Sequence, residues 1–298
     1  MNLWTTTISS LAAGALAALS ISLWNDGAAQ TAIASKPAAL PPDAIDLFFD
    51  AFQRHPERRE QATTSLTERA LAPDALPKEV LYTGLVHLWA AVEGAADRVK
   101  CHEHAVLAEH WLAQSEASAP ADTRIAGWRQ IAVWFIATLE GDEAGEAAAI
   151  AHLEALAIED PCFNSITLGS VAFRLPRDHP SFQRALTAMN AGFECGQTQG
   201  GQDRPRWPHS VAGFLVALAD YRMKAGDMAG AETALVIAEA RESSATWPHR
   251  ALLDERLGSF KERSAKFANS DPSDDPPFAF PRGGAMCTVC HAAAAKPG

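Results

Sequence analysis

Tyrosine is almost missing, at two residues in 298, and charged side chains make up only 20% of the chain. No run alternates Val, Ile or Thr with polar residues, so nothing predicts β-strands. Basic residues number 25 against 36 acidic ones, a formal charge of −11. Without a basic excess the chain has no electrostatic reason to bind a nucleic-acid backbone, and it lacks the basic runs that hold proteins on anionic lipid. Also missing are a Gly-rich phosphate loop, an H-E-x-x-H zinc motif and a nucleophile elbow. What remains is 48% apolar and rich in alanine. That composition excludes a wholly disordered chain, a collagen-like fibre and a coiled-coil rod, and it predicts an all-α protein.

Charge is absent again from Leu3 to Trp24, in the run LWTTTISSLAAGALAALSISLW. Small residues follow, with an Ala-x-Ala cleavage site ending at Ala34. This is the layout of a secretory signal peptide, although neither Lys nor Arg precedes Lys36. The same run is long enough to stay as an uncleaved anchor. Residues 1–34 are therefore read as a signal peptide or N-terminal membrane anchor, and residues 35–42 as a spacer. On either reading the folded part is expected to be periplasmic or otherwise exported. The membrane would be touched only through residues 3–24, if they are retained in the inner membrane.

From residue 43 to residue 267 the text reads as consecutive amphipathic helices broken at Pro and Gly. Breaks fall at Pro56, Pro77, Gly94, Pro120, Gly141, Pro161, Pro180, Gly226 and Pro248. Trp207-Pro208-His209 recurs as Trp247-Pro248-His249, with Pro suited to a first helical turn. Between them, Gly226, Ala231, Leu235 and Ala238 stand at the small-residue positions of a helix turn and second helix. A weaker copy carries Gly141, Ala149 and Pro161. On these residues the body resembles the tetratricopeptide-like repeat class, which implies a solenoid of helical hairpins and says little about function.

Residues 268–286, rich in Pro and Asp, read as a linker rather than a packed element. They lead to a tail, residues 287–298, that contains Cys287-Thr288-Val289-Cys290-His291. This C-x-x-C-H pattern resembles the haem-attachment site of c-type cytochromes. The resemblance covers five residues and implies one covalent haem c. Cys287 and Cys290 would bond the porphyrin edge, and His291 would be the proximal iron ligand. Three other readings compete, chance among them. A thioredoxin-like pair belongs after a strand, and a zinc site wants a further donor and usually a second C-x-x-C.

Seven residues follow His291 in this sequence, and Met286 is poorly placed to reach the far side of the iron. A distal ligand is therefore expected from the body, giving bis-histidine iron. The candidates are His102, His104 and His110, with His87 in the preceding helix and His209 and His249 in reserve. Of the remaining cysteines, Cys162 and Cys195 are the pair expected to form a disulfide between two loop-like segments in an oxidising compartment. Cys101 is expected to be buried and inert.

Three functions follow as expectations. The first is an exported monohaem electron carrier whose helical body covers the haem and docks a redox protein. The second is a tetratricopeptide-like subunit of a periplasmic or membrane-associated electron-transfer complex. The third is a haem enzyme with an open coordination position.

Overall fold

The computed structural model describes residues 43–93, 97–198, 210–247, 250–269, 275, 276 and 278. Every regular element among them is helical. In chain order these are α1 (Ala44–Gln53), a 3-10 turn (Pro56–Arg58), α2 (Arg59–Ala70), α3 (Pro77–Glu93) and α4 (Arg98–Ser118). There follow α5 (Thr123–Glu140), α6 (Glu143–Glu159), α7 (Pro161–Ala172) and α8 (Pro180–Thr198). The last are α9 (Ser210–Ala225), α10 (Met228–Ala240), α11 (Glu242–Ala245), α12 (Arg250–Gly258) and α13 (Phe260–Ala268). Among the described residues no helix is long and apolar enough to cross a membrane. Residues 3–24 lie outside them.

Aspartate starts most of the long helices. Asp43, Asp97, Asp122, Asp142, Asp160 and Asp227 each accept a hydrogen bond from a backbone N–H of the turn they precede. Each satisfies a donor that the helix itself cannot, and places negative charge at the positive end of the helix dipole. Pro77, Pro161 and Pro180 open α3, α7 and α8, where a missing N–H costs nothing. Gly141 and Gly226 close α5 and α9 with φ of 75° and 90°, a left-handed turn that a side chain would strain. The next residue in both places is a capping Asp, so each turn is a two-residue reversal between neighbouring helices.

Packing runs in sequence order. From α1 to α8 each helix lies against the next, and contacts also skip one helix, from α1 to α3, α5 to α7 and α6 to α8. α9 packs on α8, α10 and α13, and α10 packs on α12. Most buried apolar side chains form one core that extends from Leu81 to Phe278. A second core, centred on Phe48, Phe52, Tyr82 and Trp89, fastens α1 and α2 to the outer side of α3.

The α2–α3 junction is held by one carboxylate. Glu79 receives two bonds from Arg69, at 3.0 and 3.2 Å, and one from the Leu76 N–H at 2.8 Å. Arg69 and the Leu76 N–H hold its pKa below the usual 4.5 although burial opposes them. The native state therefore binds this proton less readily than the unfolded chain, and its contribution is present above about pH 4.5 and lost as pH falls through the depressed value. Glu79→Gln is expected to be less stable than wild type at neutral pH. Denaturant midpoints followed down to about pH 3 should converge, because acid removes from wild type what the variant already lacks.

The segment read as a linker is packed at three positions. Asp275 pairs with Lys224, whose side chain is only 5% exposed, at 2.7 Å. Pro276 and Phe278 are largely buried. The Phe278 ring stacks on Phe173 at 3.9 Å and meets Tyr221 edge-on at 5.6 Å. The chain beyond α13 thus returns to the body between α7 and α9. Composition predicts the backbone irregularity here and misses the aromatic side chain that ties it down.

Candidate functional site

The histidines of α4 do not form one cluster. His102 Nε2 faces Glu140 Oε1 at 2.8 Å, reaching across to the end of α5. His110 Nε2 lies 2.8 Å from the Gln114 side-chain nitrogen, one turn along its own helix. His104 instead turns toward α3, where its Nδ1 is 2.9 Å from Nδ1 of His87. The distal candidates His209 and His249, the attachment cysteines Cys287 and Cys290, and His291 lie outside the described residues. Among the described residues no group of three or more His, Cys, Asp or Glu could hold a metal ion.

The His87–His104 contact exists because α3 and α4 approach closely. A Cβ on Gly84 would stand 2.7 Å from Leu112 Cγ, so only glycine fits there. Across the seam, Ala105 and Ala108 are fully buried small residues. One turn beyond Gly84 comes His87, itself buried, in the apolar run Leu85 to Val92. An imidazole in that setting must find partners within the protein.

Its two partners fix every proton of the group. The Thr67 hydroxyl has one hydrogen and donates it to the Thr63 carbonyl at 2.8 Å. Thr67 Oγ1, 3.3 Å from His87 Nε2, can then only accept, so Nε2 of His87 carries the ring proton. Nδ1 of His87 is consequently a lone pair, and His104 Nδ1–H donates to it. That leaves Nε2 of His104 unprotonated, and no side chain among the described residues hydrogen-bonds it. Burial, reinforced by the neighbouring His104, pushes the His87 pKa down to about 4. His104 is lowered too, by burial first and then by Arg59 and Lys100, with Glu103 opposing. Both rings are neutral near pH 7, as the proton assignment requires.

Sequence reasoning names His104 and notes His87 without giving it or Thr67 a role. A histidine inside Leu85-Val86-His87-Leu88-Trp89 carries a usable signal, since an isolated buried imidazole is costly.

Cys162 and Cys195 are bonded to each other, with Cα atoms 5.4 Å apart. Both sit within helices, near the start of α7 and the end of α8, rather than in the loops expected for them. Pro161 at the first helical position lets α7 begin before the cysteine, and α8 runs on through Cys195 to Thr198. Cys101 is buried and unbridged.

No family model matches the chain, and neither does any curated protein or solved structure.

Proposed function

We propose that this protein is an exported monohaem carrier of electrons. Its tail holds one covalent haem c, and its helical body covers the haem and docks a redox protein in a periplasmic or membrane-associated assembly. The observation that carries this reading is Cys287-Thr288-Val289-Cys290-His291 in a chain that opens with an export segment. Cys287 and Cys290 hold the porphyrin edge and His291 supplies the proximal nitrogen. The haem, when bound, supplies a one-electron redox centre, while the protein supplies ligands, burial and orientation.

The body fits the part of cover and docking platform. We read it as a tetratricopeptide-like stack of helical hairpins. Support comes from neighbour-on-neighbour packing with contacts that skip one helix, and from the Gly–Asp turns at Gly141-Asp142 and Gly226-Asp227. Each of those turns is followed by a glycine packed on the capping carboxylate, Gly145 on Asp142 and Gly230 on Asp227. The return of the tail at Phe278 supports the same reading, because it brings the attachment motif within nine residues of the core.

The test is chemical. Protein matured in a host with c-type haem attachment is expected to keep haem stain on a denaturing gel. Replacing Cys287 and Cys290 together with alanine is expected to abolish the stain. Correctly exported wild-type protein that carries no covalent haem overturns the proposal.

A further inference from the structure

We infer that the aromatic slot between α7 and α9 is a recognition site for an extended segment of another protein, one that presents an acidic side chain and an aromatic ring three residues later. The chain's own Asp275 and Phe278 occupy the slot until such a segment displaces them. The inference concerns the helical body alone and holds whether or not the tail carries haem.

The slot is built by the helices without help from its occupant. Its walls are Phe173 at the end of α7, Phe182 in α8, Tyr221 in α9 and Phe267 in α13. Tyr221 lies 5.1 Å from both Phe173 and Phe182, and Phe267 meets Phe173 edge-on at 6.0 Å. The Tyr221 hydroxyl donates to the Gly169 carbonyl at 2.8 Å, which fixes its ring. Lys224, three residues along α9, brings its ammonium to 4.9 Å from the Phe173 ring and 5.6 Å from the Phe182 ring. Its Nζ donates to the Phe173 carbonyl at 2.9 Å. Ring faces attract such a cation, but a buried ammonium still calls for an anion. The body thus holds a stacking face and a buried positive charge side by side.

The occupant answers both features. Among the described residues Asp275 is the acid that pairs with Lys224, at 2.7 Å, and the Phe278 ring lies flat on Phe173 at 3.9 Å. Asp275, Pro276 and Phe278 belong to no helix. Pro276 and Pro277 stand between the acid and the ring. Proline fixes its own φ and holds the residue before it extended, so the spacing from acid to ring is set before docking and little entropy is lost on binding. Proline-rich segments dock aromatic-lined grooves on the same principle.

Charge decides what else can sit there. The buried Lys224 selects an acidic side chain, so the incoming segment carries Asp or Glu ahead of its aromatic residue. Two copies of a chain with a formal charge of −11 repel each other, which disfavours an exchange of tails between copies and favours a different protein. The tether keeps the resident segment at an effective concentration of about 1 mM, and a competitor must overcome it. A partner that makes contacts beyond the slot does so, and its binding frees the chain at Phe278.

The experiment uses the full chain and a labelled peptide with capped ends, Ser-Asp-Asp-Pro-Pro-Phe-Ala, which copies residues 273–279. Asp275→Ala and Phe278→Ala together empty the slot, and this variant is expected to bind the peptide, read by fluorescence anisotropy. Wild type should bind it ~100-fold more weakly, the effect of a resident at about 1 mM on a site of about 10 μM. Peptides with alanine in place of the phenylalanine or the second aspartate should each bind the emptied slot at least about tenfold more weakly. If the double variant does not melt cooperatively, Asp275→Ala alone leaves the ring in place and should bind the peptide more tightly than wild type. A folded variant that ignores the peptide at about 1 mM, or binds it no better than wild type, overturns the inference. A wild-type dimer that dissolves on Phe278→Ala makes the occupant a second copy and overturns the assignment to another protein.

Discussion

Asp220→Ala is expected to be the most damaging single substitution in the helical body, lowering stability by roughly 3–5 kcal/mol. The Asp220 carboxylate on α9 is wholly buried and binds Arg256 Nε at 3.1 and 3.2 Å and Arg263 NH2 at 3.0 Å. Both guanidinium groups are themselves almost fully buried, and Glu255 is the second acid of the group. Among the described residues, two arginines and two acids therefore meet where α12 and α13 close over α9. Removing Asp220 takes from two desolvated cations the acid that is buried with them, and the cost of breaking such a pair far exceeds the net worth of forming it. Asp220→Asn keeps the size and one acceptor and should lose less. Urea melts should show a lower midpoint with an unchanged slope if the native fold is retained. A variant within 1 kcal/mol of wild type, a rough limit for a surface change, would mean that the cluster is solvated in solution.

A chain ending at Phe267 is expected to fold but to be markedly less stable than the full chain. The helices keep their own core, including Phe267 against Phe173. What is lost is the Phe278 ring, only 8% exposed, and the Asp275 partner of Lys224. Removing a buried phenylalanine costs roughly 3–5 kcal/mol. For a body of this size that is a fall of about 10 °C in melting temperature. Phe278→Ala in the full chain should reproduce most of the effect, and a fragment ending just after Phe278 should recover it. Equal melting of the fragment ending at Phe267 and the full chain would show that the tail does not dock. Lys224 also donates to the Phe173 carbonyl at 2.9 Å, so truncation removes its acid partner but leaves it a backbone acceptor.

These two results concern contacts that the sequence conceals, and the reason is the same for both. Helices were legible because their signals are local: apolar spacing, Pro77, Pro161 and Pro180 at first turns, Gly141 and Gly226 at ends. The pairing of Cys162 with Cys195 was legible from the expectation of export and from the cysteine count. By contrast, Asp220 meets Arg256 and Arg263 across 36 and 43 residues, and which faces of α9, α12 and α13 meet is decided by packing alone. Phe278 sits in Pro- and Asp-rich text whose backbone tendency is correctly irregular, while its side chain answers to an aromatic slot 105 residues away at Phe173. The hydrogen-bonded chain from His104 through His87 to Thr67 falls between these cases. Its residues could be picked out by type, and His104 was, but the proton assignment needs three hydrogen bonds that only the packed helices define.

The bond between Cys162 and Cys195 bears on how the protein matures. On the proposed reading, Cys287 and Cys290 would have to stay as thiols in the same oxidising surroundings that let Cys162 and Cys195 pair. Thiol–disulfide exchange between the two pairs would scramble both. The α7–α8 hairpin sorts them by holding Cys162 and Cys195 against each other, and α4 hides Cys101 in the core. The helical body thus accounts for three of the five cysteines, two bonded to each other and one buried.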